Sequence, residues 1–262
     1  MKPHARNLLR YGRQTAFASL GASGQRRLMA GRALIVGVGG LGSWVAELLA
    51  RSGVGMLRLA DDDRVDITNI HRQAMYDERD AAERRLKVEA AAACLSRINA
   101  DVAVETAAER LDAANVARLA DGVHVIMDGT DNFATRFVIN DYCVKTHLPW
   151  VFAGVVGSQA QTMTVVPGRT ACLRCVFDSP PPPCVDPSCR TDGVMAPAVA
   201  AIASVQAAEA IKILSGRAED ASPYLLKLDL WKNTLQRIDA AAAAADNDCP
   251  CCKRRQFEFL EE

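Results

Sequence analysis

The sequence predicts an α/β protein, in which a Rossmann-like, mostly parallel sheet has helices on both faces and is followed by a C-terminal antiparallel part. Three observations support this prediction. Short apolar runs alternate with helical patterns as far as Val155, which is typical of parallel sheets. Glycines in G-x-G-x-x-G spacing follow the first apolar run, and an acidic cluster ends the second. From Val155 to Pro167, apolar and polar side chains alternate as they do in antiparallel strands.

The composition bounds the class of protein. The chain has 262 residues, half of them hydrophobic, with 31 basic and 31 acidic side chains. This length suffices for a single domain over residues 1–262 with a sizeable core. A formal net charge of zero argues against a nucleic-acid-binding protein. Uncharged apolar runs are shorter than the roughly 18 residues of a membrane span, and the charged N-terminus lacks the apolar segment of a signal peptide. We therefore expect a cytoplasmic protein.

The first unit of the chain has the pattern of a nucleotide-binding βαβ unit. Ala33–Val36 and Met56–Leu59 are apolar runs suited to buried strands, and a helical apolar pattern starts at Leu41. Glycines between them allow a tight turn and close approach of the backbone to phosphate, while the helix N-terminus offers free N–H groups. Asp61, after the second strand, is placed to reach ribose hydroxyls. The glycines concerned are Gly37, Gly39, Gly40 and Gly42.

Further elements are predicted in the nucleotide-binding half, residues 31–155. Residues 1–30 predict one or two helices ahead of it. Because ligands bind beyond the carboxyl ends of parallel strands, we expect the glycines, Asp61 and Asp128–Asp131 to meet in one crevice. The remaining predicted elements are helices over Ala81–Asn99, Asp112–Ala120 and up to Thr146, and strands over Val102–Glu105, Val123–Met127 and from Pro149.

The second half, residues 156–262, has a different texture. A long segment over 168–193 has no periodic pattern, and loops of this length are usually functional or held by something other than a core. Pro197–Leu214 is an almost wholly apolar helix, and Tyr224–Leu230 with Thr234–Ile238 predicts a hairpin. The alanine tract Ala240–Ala245 is either a helix or a linker.

Two C-x-x-C pairs predict a structural metal site. Each pair can present two thiolates to one ion, so Cys172, Cys175, Cys249 and Cys252 can form a tetrahedral zinc site. Cys251 is then a bystander. The alternative is a redox motif, but such motifs open a helix in a thioredoxin-like unit, and neither pair has that context. Four thiolates leave no open position, so the zinc would tie the long loop to the C-terminal tail without taking part in catalysis.

The other cysteines divide by position. Cys94 and Cys143 lie on predicted helices and are interpreted as packing residues. Cys184 and Cys189 lie in the long loop. Cys189, just ahead of Gly193 and the apolar helix, is either an exposed nucleophilic thiolate or an incidental loop cysteine.

Several motifs together resemble the ubiquitin-activating-type adenylyltransferases, the ThiF and MoeB proteins of bacteria. They begin with RYGRQ around Arg13 and GVGGLG from Gly37, and they extend to LDLWKN near the end. The resemblance covers nearly the whole chain, and TDNFATRF and FEFL are more similar to ThiF. The other matching segments are D-x-D-x-V-x-x-x-N-x-x-R-Q from Asp61 to Gln73, Lys87, D-x-T-D-N-x-x-x-R from Asp128 to Arg136, both C-x-x-C pairs and Gly193–Pro197.

The resemblance implies an activity and a set of partners. Such enzymes use MgATP to adenylate the C-terminal glycine of a small ubiquitin-like sulfur carrier, ThiS or MoaD, for thiamine thiazole or molybdopterin synthesis. It implies a homodimer and, since no rhodanese-like extension follows residue 262, an outside persulfide sulfur donor.

The resemblance also implies roles for individual residues. Asp61 would hold the ribose hydroxyls, Asp131 would bind Mg²⁺, and Arg13 would reach the phosphates from the other subunit. The four paired cysteines match zinc ligands, and Cys189 matches a cysteine that links covalently to the carrier in some members. Asn69, Arg72 and Lys87 would contact the phosphates. The nucleotide site implied by the motifs comprises the four glycines with Asp61, Asp63, Asn69, Arg72, Gln73, Lys87, Asp128, Thr130, Asp131 and Asn132.

Two alternatives remain open from the residues. An NAD-dependent oxidoreductase would use the glycines and Asp61 equally well, but it leaves Arg72, Asp131 and Arg13 without a role. A related tRNA-modifying dehydratase would activate a nucleoside adduct, and the neutral charge disfavours it.

Overall fold

The strands form one sheet in the computed structural model, which describes residues 7–180, 193–246 and 248–261. In the described residues the sheet has eight strands in the order β3-β2-β1-β4-β5-β6-β7-β8. In this sheet order, the neighbouring strands β3, β2, β1, β4 and β5 pair in parallel. The neighbouring strands β5, β6, β7 and β8 pair antiparallel. This confirms the predicted fold class. The strands are β1 (Arg32–Val36), β2 (Met56–Ala60), β3 (Ala103–Ala107), β4 (Val125–Asp128), β5 (Trp150–Val156), β6 (Gln159–Val165), β7 (Tyr224–Asp229) and β8 (Thr234–Asp239).

The helices cover both faces of this sheet. Short 3-10 turns lie at Asn7–Leu9, Ile67–Asn69, Ala218–Asp220 and Glu258–Leu260. The α-helices are α1 (Gly12–Thr15), α2 (Gly21–Ala30), α3 (Gly40–Ser52), α4 (Glu78–Ala82), α5 (Lys87–Ile98), α6 (Val116–Leu119), α7 (Phe133–Thr146), α8 (Leu173–Val176), α9 (Ala196–Leu214) and α10 (Ala240–Asp246). The alanine tract, left open by the sequence, is therefore helical.

Two hydrophobic clusters fill the space between sheet and helices. On one face, Leu49 of α3, Leu95 of α5 and Ile202 of α9 are buried against the sheet. On the other, Phe137 of α7 packs with Trp150. Both faces are covered at the centre of the sheet, so β1, β2 and β4 read as apolar runs rather than alternating ones.

Helix α9 is the one element of the described chain that is long and apolar enough to cross a membrane. Its apolar character has a different explanation here, because Val199, Ile202 and Ala203 are buried in the core. A buried core helix is hydrophobic all round for the same reason as a membrane helix, namely the absence of water.

The predicted helix over Ala81–Asn99 is wrong in one respect, because two helices, α4 and α5, occupy the region. Between them Arg84 takes a φ of 47° and Leu86 is extended. Leu86 forms an antiparallel bridge with Arg64, and this tertiary pairing overrides the good helix propensity of the local sequence. The break places Lys87 at the start of α5, which brings it to the carboxyl ends of the strands.

Candidate active site

The glycine turn after β1, Asp61 after β2 and the loop after β4 meet in one cleft of about 1620 Å³ at the carboxyl ends of the parallel strands. The predicted convergence is thereby confirmed. Gly42 and Asp128 lie behind the cleft wall rather than in it. The predicted site residues that line the cleft are Gly37, Gly39, Gly40, Asp61, Asp63, Asn69, Arg72, Gln73, Lys87, Thr130, Asp131 and Asn132.

Three glycines make the turn between β1 and α3 possible. Gly37 has a φ of +79°, and a Cβ built on Gly42 would lie 1.8 Å from the Gly37 carbonyl oxygen. A Cβ on Gly129 would lie 2.2 Å from the same oxygen. The loops after β1 and β4 therefore contact each other through backbone alone. This packing leaves the N-terminus of α3 open to the cleft, where its free N–H groups suit an anion.

Gly42→Ala is expected to lower the free energy of unfolding by about 1–3 kcal/mol, because the added methyl group must displace backbone rather than a flexible side chain. Thermal unfolding measures the change. Gly12→Ala is the matched control, since a Cβ there meets nothing within 4 Å. Equal melting temperatures for the two variants would contradict the close approach of Gly42 to Gly37.

Asp61 organises the loop next to the glycines. Its carboxylate accepts hydrogen bonds from the backbone N–H of Val38 at 2.6 Å and of Asp63 at 2.8 Å. It is 8% exposed. Burial raises the pKa of Asp61, and the positive charge of Lys87 opposes that shift. The sequence predicted a ribose contact but gave no sign of these backbone bonds, which fix the carboxylate at the cleft.

Lys87 and Arg72 are two of the four cationic residues that line the cleft from the segment after β2, the others being Arg64 and Arg84. The Lys87 ammonium is nearly buried and lies 2.7 Å from the carboxylate of Asp63. Arg72 Nη1 donates to the carbonyl oxygen of Thr68 at 2.9 Å, and Asn69 follows Thr68 on the same turn. Lys87 and Arg72 thus bring positive charge to the side of the cleft that also holds Asp61.

Gln73 has an unusual environment. Its side chain is 3% exposed, and Oε1 has no hydrogen-bond partner in the part of the chain that the structure describes. Its Nε2 lies below the glycine turn, 3.6 Å from a Cβ built on Gly39. Gln73 therefore packs under the loop that lines the cleft.

The loop after β4 is held by a buried ion pair that the sequence did not reveal as such. Asp128 accepts hydrogen bonds from Arg136 Nε at 3.0 Å and from the N–H and hydroxyl of Thr130. Arg136 also donates to the carbonyl oxygens of Thr130 and Ala153. Burial raises the pKa of Asp128, and Arg136 opposes that shift. The only signal in the sequence was that Arg136 closes the D-x-T-D-N-x-x-x-R motif.

The same loop presents its last residues to the cleft. Asn132 caps α7, accepting from the Thr135 N–H at 2.9 Å. Asp131 is exposed at the cleft rim. The capping of α7 by Asn132 fixes where the loop ends, and so fixes the position of Asp131.

Two sequence-predicted residues are not brought to the cleft. Arg13 is exposed on α1 and does not line the cleft of its own chain. Cys189 and Cys184 lie outside the described residues.

The four cysteines predicted as metal ligands come together. Their sulfur atoms all lie within 4.8 Å of one another, with Cys172 3.6 Å from Cys249 and Cys175 3.4 Å from Cys252. Four thiolates at about 2.3 Å from a tetrahedral zinc ion are about 3.8 Å apart, so the set fits zinc. Cys251 is outside the group, as predicted, and its sulfur accepts from Asn140 Nδ2 at 3.3 Å.

The family model of the ThiF family matches residues 11–251. The chain belongs to the ThiF family. A relative named sulfur carrier protein ThiS adenylyltransferase, from Bacillus subtilis, is 41% identical over 96% of this chain and 73% of its own length. A sulfur carrier protein adenylyltransferase from Thermus thermophilus is 33% identical over 93% of this chain and 90% of its own length. This ThiF-family chain is an enzyme, an adenylyltransferase.

A solved structure shows the same fold in a more distant protein. E. coli MccB with ATP superposes with a TM-score of 0.75 at 24% identity, over 91% of this chain and 73% of that one. At this identity the likeness concerns the fold alone. The mixed sheet is therefore shared well beyond the named adenylyltransferases.

For this ThiF-family enzyme, Cys252→Ser is expected to reduce bound zinc from about one ion per chain to well below that, because a hydroxyl is a poor zinc ligand beside thiolates. Metal analysis of the purified protein measures it. Cys94→Ser is the matched control, since Cys94 lies outside the four-sulfur group. Wild-type protein without zinc would refute the site.

Proposed function

We propose that this enzyme adenylates the C-terminal glycine carboxylate of a small ubiquitin-like sulfur carrier, using MgATP and releasing pyrophosphate. The names of the relatives at 33% and 41% identity support the class of acceptor. A ThiS-like carrier is the first candidate, because the 41% identical relative is named for ThiS. A MoaD-like carrier is the second. The acyl-adenylate would then receive sulfur from a separate persulfide donor.

The observation that carries the proposal is the extent of the cleft. It starts at the glycine turn and continues along the antiparallel strands, where Gly154, Gln161, Val194, Lys227 and Lys232 line it. A nucleotide occupies only one end of such a cleft. The remaining length suits an extended peptide, whose terminal carboxylate would then lie beside the α-phosphate.

The chemistry requires charge stabilisation rather than proton transfer. A C-terminal carboxylate is ionised at neutral pH, so its attack on the α-phosphate needs no general base. Anionic nucleophile and anionic nucleotide repel each other, and negative charge moves to the leaving pyrophosphate. Arg72 and Lys87 supply positive charge at the place where this negative charge develops. Asp131 would hold Mg²⁺ at the phosphates. His71 has no proton to move in this scheme.

Lys87 forms an ion pair with Asp63 that a bound nucleotide would replace. Its ammonium lies 2.7 Å from Asp63, whose side chain is mostly exposed. In the proposed site a phosphate oxygen replaces that carboxylate as the lysine's partner. Asp63 would then hold Lys87 towards the cleft until ATP binds.

Arg13 would act on the cleft of a second copy of the chain. α1 lies against the C-terminal end of α3, whereas the glycine turn is at the N-terminal end. α3 has 13 residues, which corresponds to roughly 20 Å of helix. An arginine side chain cannot span that distance back to its own cleft. A homodimer would supply Arg13 in trans.

The decisive experiment is ATP–pyrophosphate exchange with a ThiS protein, a MoaD protein and no carrier. We expect exchange only with a carrier, and more with ThiS than with MoaD. The same carrier without its C-terminal glycine is the matched control and should support none. Hydride transfer to NAD without exchange would overturn the proposal, and exchange with MoaD alone would overturn the choice of carrier.

A further inference from the structure

Arg13 lies on α1, a helix too short to hold the arginine in a fixed orientation by itself. α1 has four residues, and helices this short are unstable without tertiary contacts. The arginine side chain itself is exposed. Its direction is therefore decided by the residues on either side of it, Tyr11 and Gln14, which contact α3.

Tyr11 is inserted between the ends of α3 and α5. It is 4% exposed, and its hydroxyl oxygen accepts a hydrogen bond from Asn99 Nδ2 at 2.8 Å. The same amide nitrogen donates to the carbonyl oxygen of Ala50 in α3, also at 2.8 Å. Asn99 is itself buried, so the tyrosine hydroxyl satisfies a polar group that has no access to water.

Gly53 provides the space for the ring. It ends α3 with a φ of +82°, and a Cβ at this position would lie 2.3 Å from Tyr11 Cζ. Any larger residue would displace the ring as well as strain the helix end. The end of α3 is therefore shaped to receive Tyr11.

Gln14 forms the second attachment. Its Nε2 donates to the carbonyl oxygen of Ser52 at 2.9 Å and to Gln25 Oε1 at 2.6 Å. Gln25 is fully buried in α2 and donates to the Ser52 oxygen as well. Arg13 thus lies between a buried tyrosine, whose ring packs at the end of α3 and whose hydroxyl bonds to Asn99, and an amide pair bound to the Ser52 carbonyl oxygen in the last turn of α3.

We propose that Tyr11 is a positioning residue, which together with Gln14 orients Arg13 for delivery to the cleft of the partner subunit. The inference rests on the proposed function, in which Arg13 acts in trans. It adds a second role for α3. The N-terminal end of α3 carries the glycine turn of its own cleft, and its C-terminal end positions the Arg13 that acts on the cleft of the partner subunit. Tyr11 acts through Arg13 and touches no substrate.

The first measurement is carrier-dependent exchange by homodimers. Tyr11→Ala is expected to reduce it by about 100-fold, the scale of a misplaced catalytic group. Tyr11→Phe keeps the ring and should therefore lose less of the exchange activity than Tyr11→Ala. Thr15→Ala is the control on the same helix, because within the described residues the Thr15 hydroxyl donates to the Gly12 carbonyl oxygen of α1 and to no other element. Normal exchange by Tyr11→Ala would overturn the inference. Gln14→Ala gives a second variant if Tyr11→Ala does not fold.

Mixed dimers separate positioning of Arg13 from a general structural role. Tyr11→Ala on one chain and Asp131→Ala on the other should give about half of wild-type exchange, because the intact cleft receives the intact arginine. Both substitutions on one chain, paired with a wild-type chain, should give almost none. A structural effect of Tyr11 on its own cleft predicts the reverse, and that result would overturn the inference.

The same two arrangements with Arg13→Ala in place of Tyr11→Ala test the proposed function alone. If the Arg13 pair is active only with the substitutions on opposite chains and the Tyr11 pair is not, the inference fails and action in trans stands. If the Arg13 pair is active only with both substitutions on one chain, Arg13 acts in cis and both fail.

Discussion

Arg72→Ala is expected to reduce carrier-dependent ATP–pyrophosphate exchange by about 100- to 1,000-fold, the usual loss when one preorganised donor to a developing charge is removed. Arg72 lines the cleft, and its guanidinium is held by the Thr68 carbonyl oxygen. The fold should survive. The substitution removes the exposed bond from the guanidinium to the Thr68 carbonyl oxygen. It keeps the backbone bond of residue 72, to whose carbonyl oxygen Trp44 Nε1 donates at 3.1 Å. Thermal unfolding should therefore change little while exchange falls.

The control for this variant is an arginine that is close in sequence to Arg72 but does not line the cleft. Arg79 lies on α4, 83% of its side chain is exposed, and it pairs with Glu83. Arg79→Ala should keep normal exchange, because exposed ion pairs contribute little. Arg72→Lys distinguishes charge from geometry, since lysine keeps the charge and loses the planar fork. Near-normal exchange by Arg72→Ala would remove Arg72 from the proposed mechanism.

The position of the cleft could be predicted because it depends on chain topology rather than on side-chain detail. Parallel strands place their carboxyl ends at one edge, so the glycine turn, Asp61 and the loop after β4 had to meet there. The grouping of four cysteines was predictable from their spacing in the sequence. Cys249 and Cys252 have the spacing of a metal knuckle, whereas Cys251 does not, and the sulfur positions agree.

The contacts that support the site could not be predicted, because they join residues far apart in sequence. Tyr11 and Asn99 are separated by 88 positions, and nothing local marks either as the partner of the other. The break before Lys87 has the same origin, because it depends on the pairing of Leu86 with Arg64. Tertiary contacts of this kind override local propensity, and here they orient Arg13 and place Lys87.

The buried pair of Asp128 and Arg136 explains how a loop of polar residues keeps its shape beside the cleft. Their side chains are almost fully enclosed, 0% and 7% exposed. Arg136 also lies over the rings of Phe133 and Phe152 at about 5 Å. Since Arg136 bonds to the Thr130 carbonyl oxygen, it connects the core of the sheet directly to the residue before Asp131.

Arg136→Met is expected to lower the free energy of unfolding by about 3–5 kcal/mol at neutral pH, because it leaves the Asp128 carboxylate buried without its countercharge. Chemical denaturation measures the change. Arg51→Met is the matched control, since it breaks a surface pair with Glu47 that is worth only about 0–1 kcal/mol. Adding Asp128→Asn to Arg136→Met should recover part of the loss. If Arg136→Met and Arg51→Met were equally stable, the buried pair would not support the loop.

The loss should also depend on pH in a defined direction. Burial already raises the pKa of Asp128 above its ordinary value of 3.8, and Arg136 is the largest influence that opposes the shift. Without Arg136 the pKa rises further, so the folded variant holds a proton that the unfolded chain has released. Protonated Asp128 therefore favours the folded state at acidic pH, and this contribution disappears as the pH rises through the folded pKa. The stability difference between Arg136→Met and wild type should grow as the pH rises from about 4 towards neutrality. A difference that stays constant over this range would mean that the lost packing of Arg136 against the two phenylalanines, and not the charge of Asp128, determines the effect.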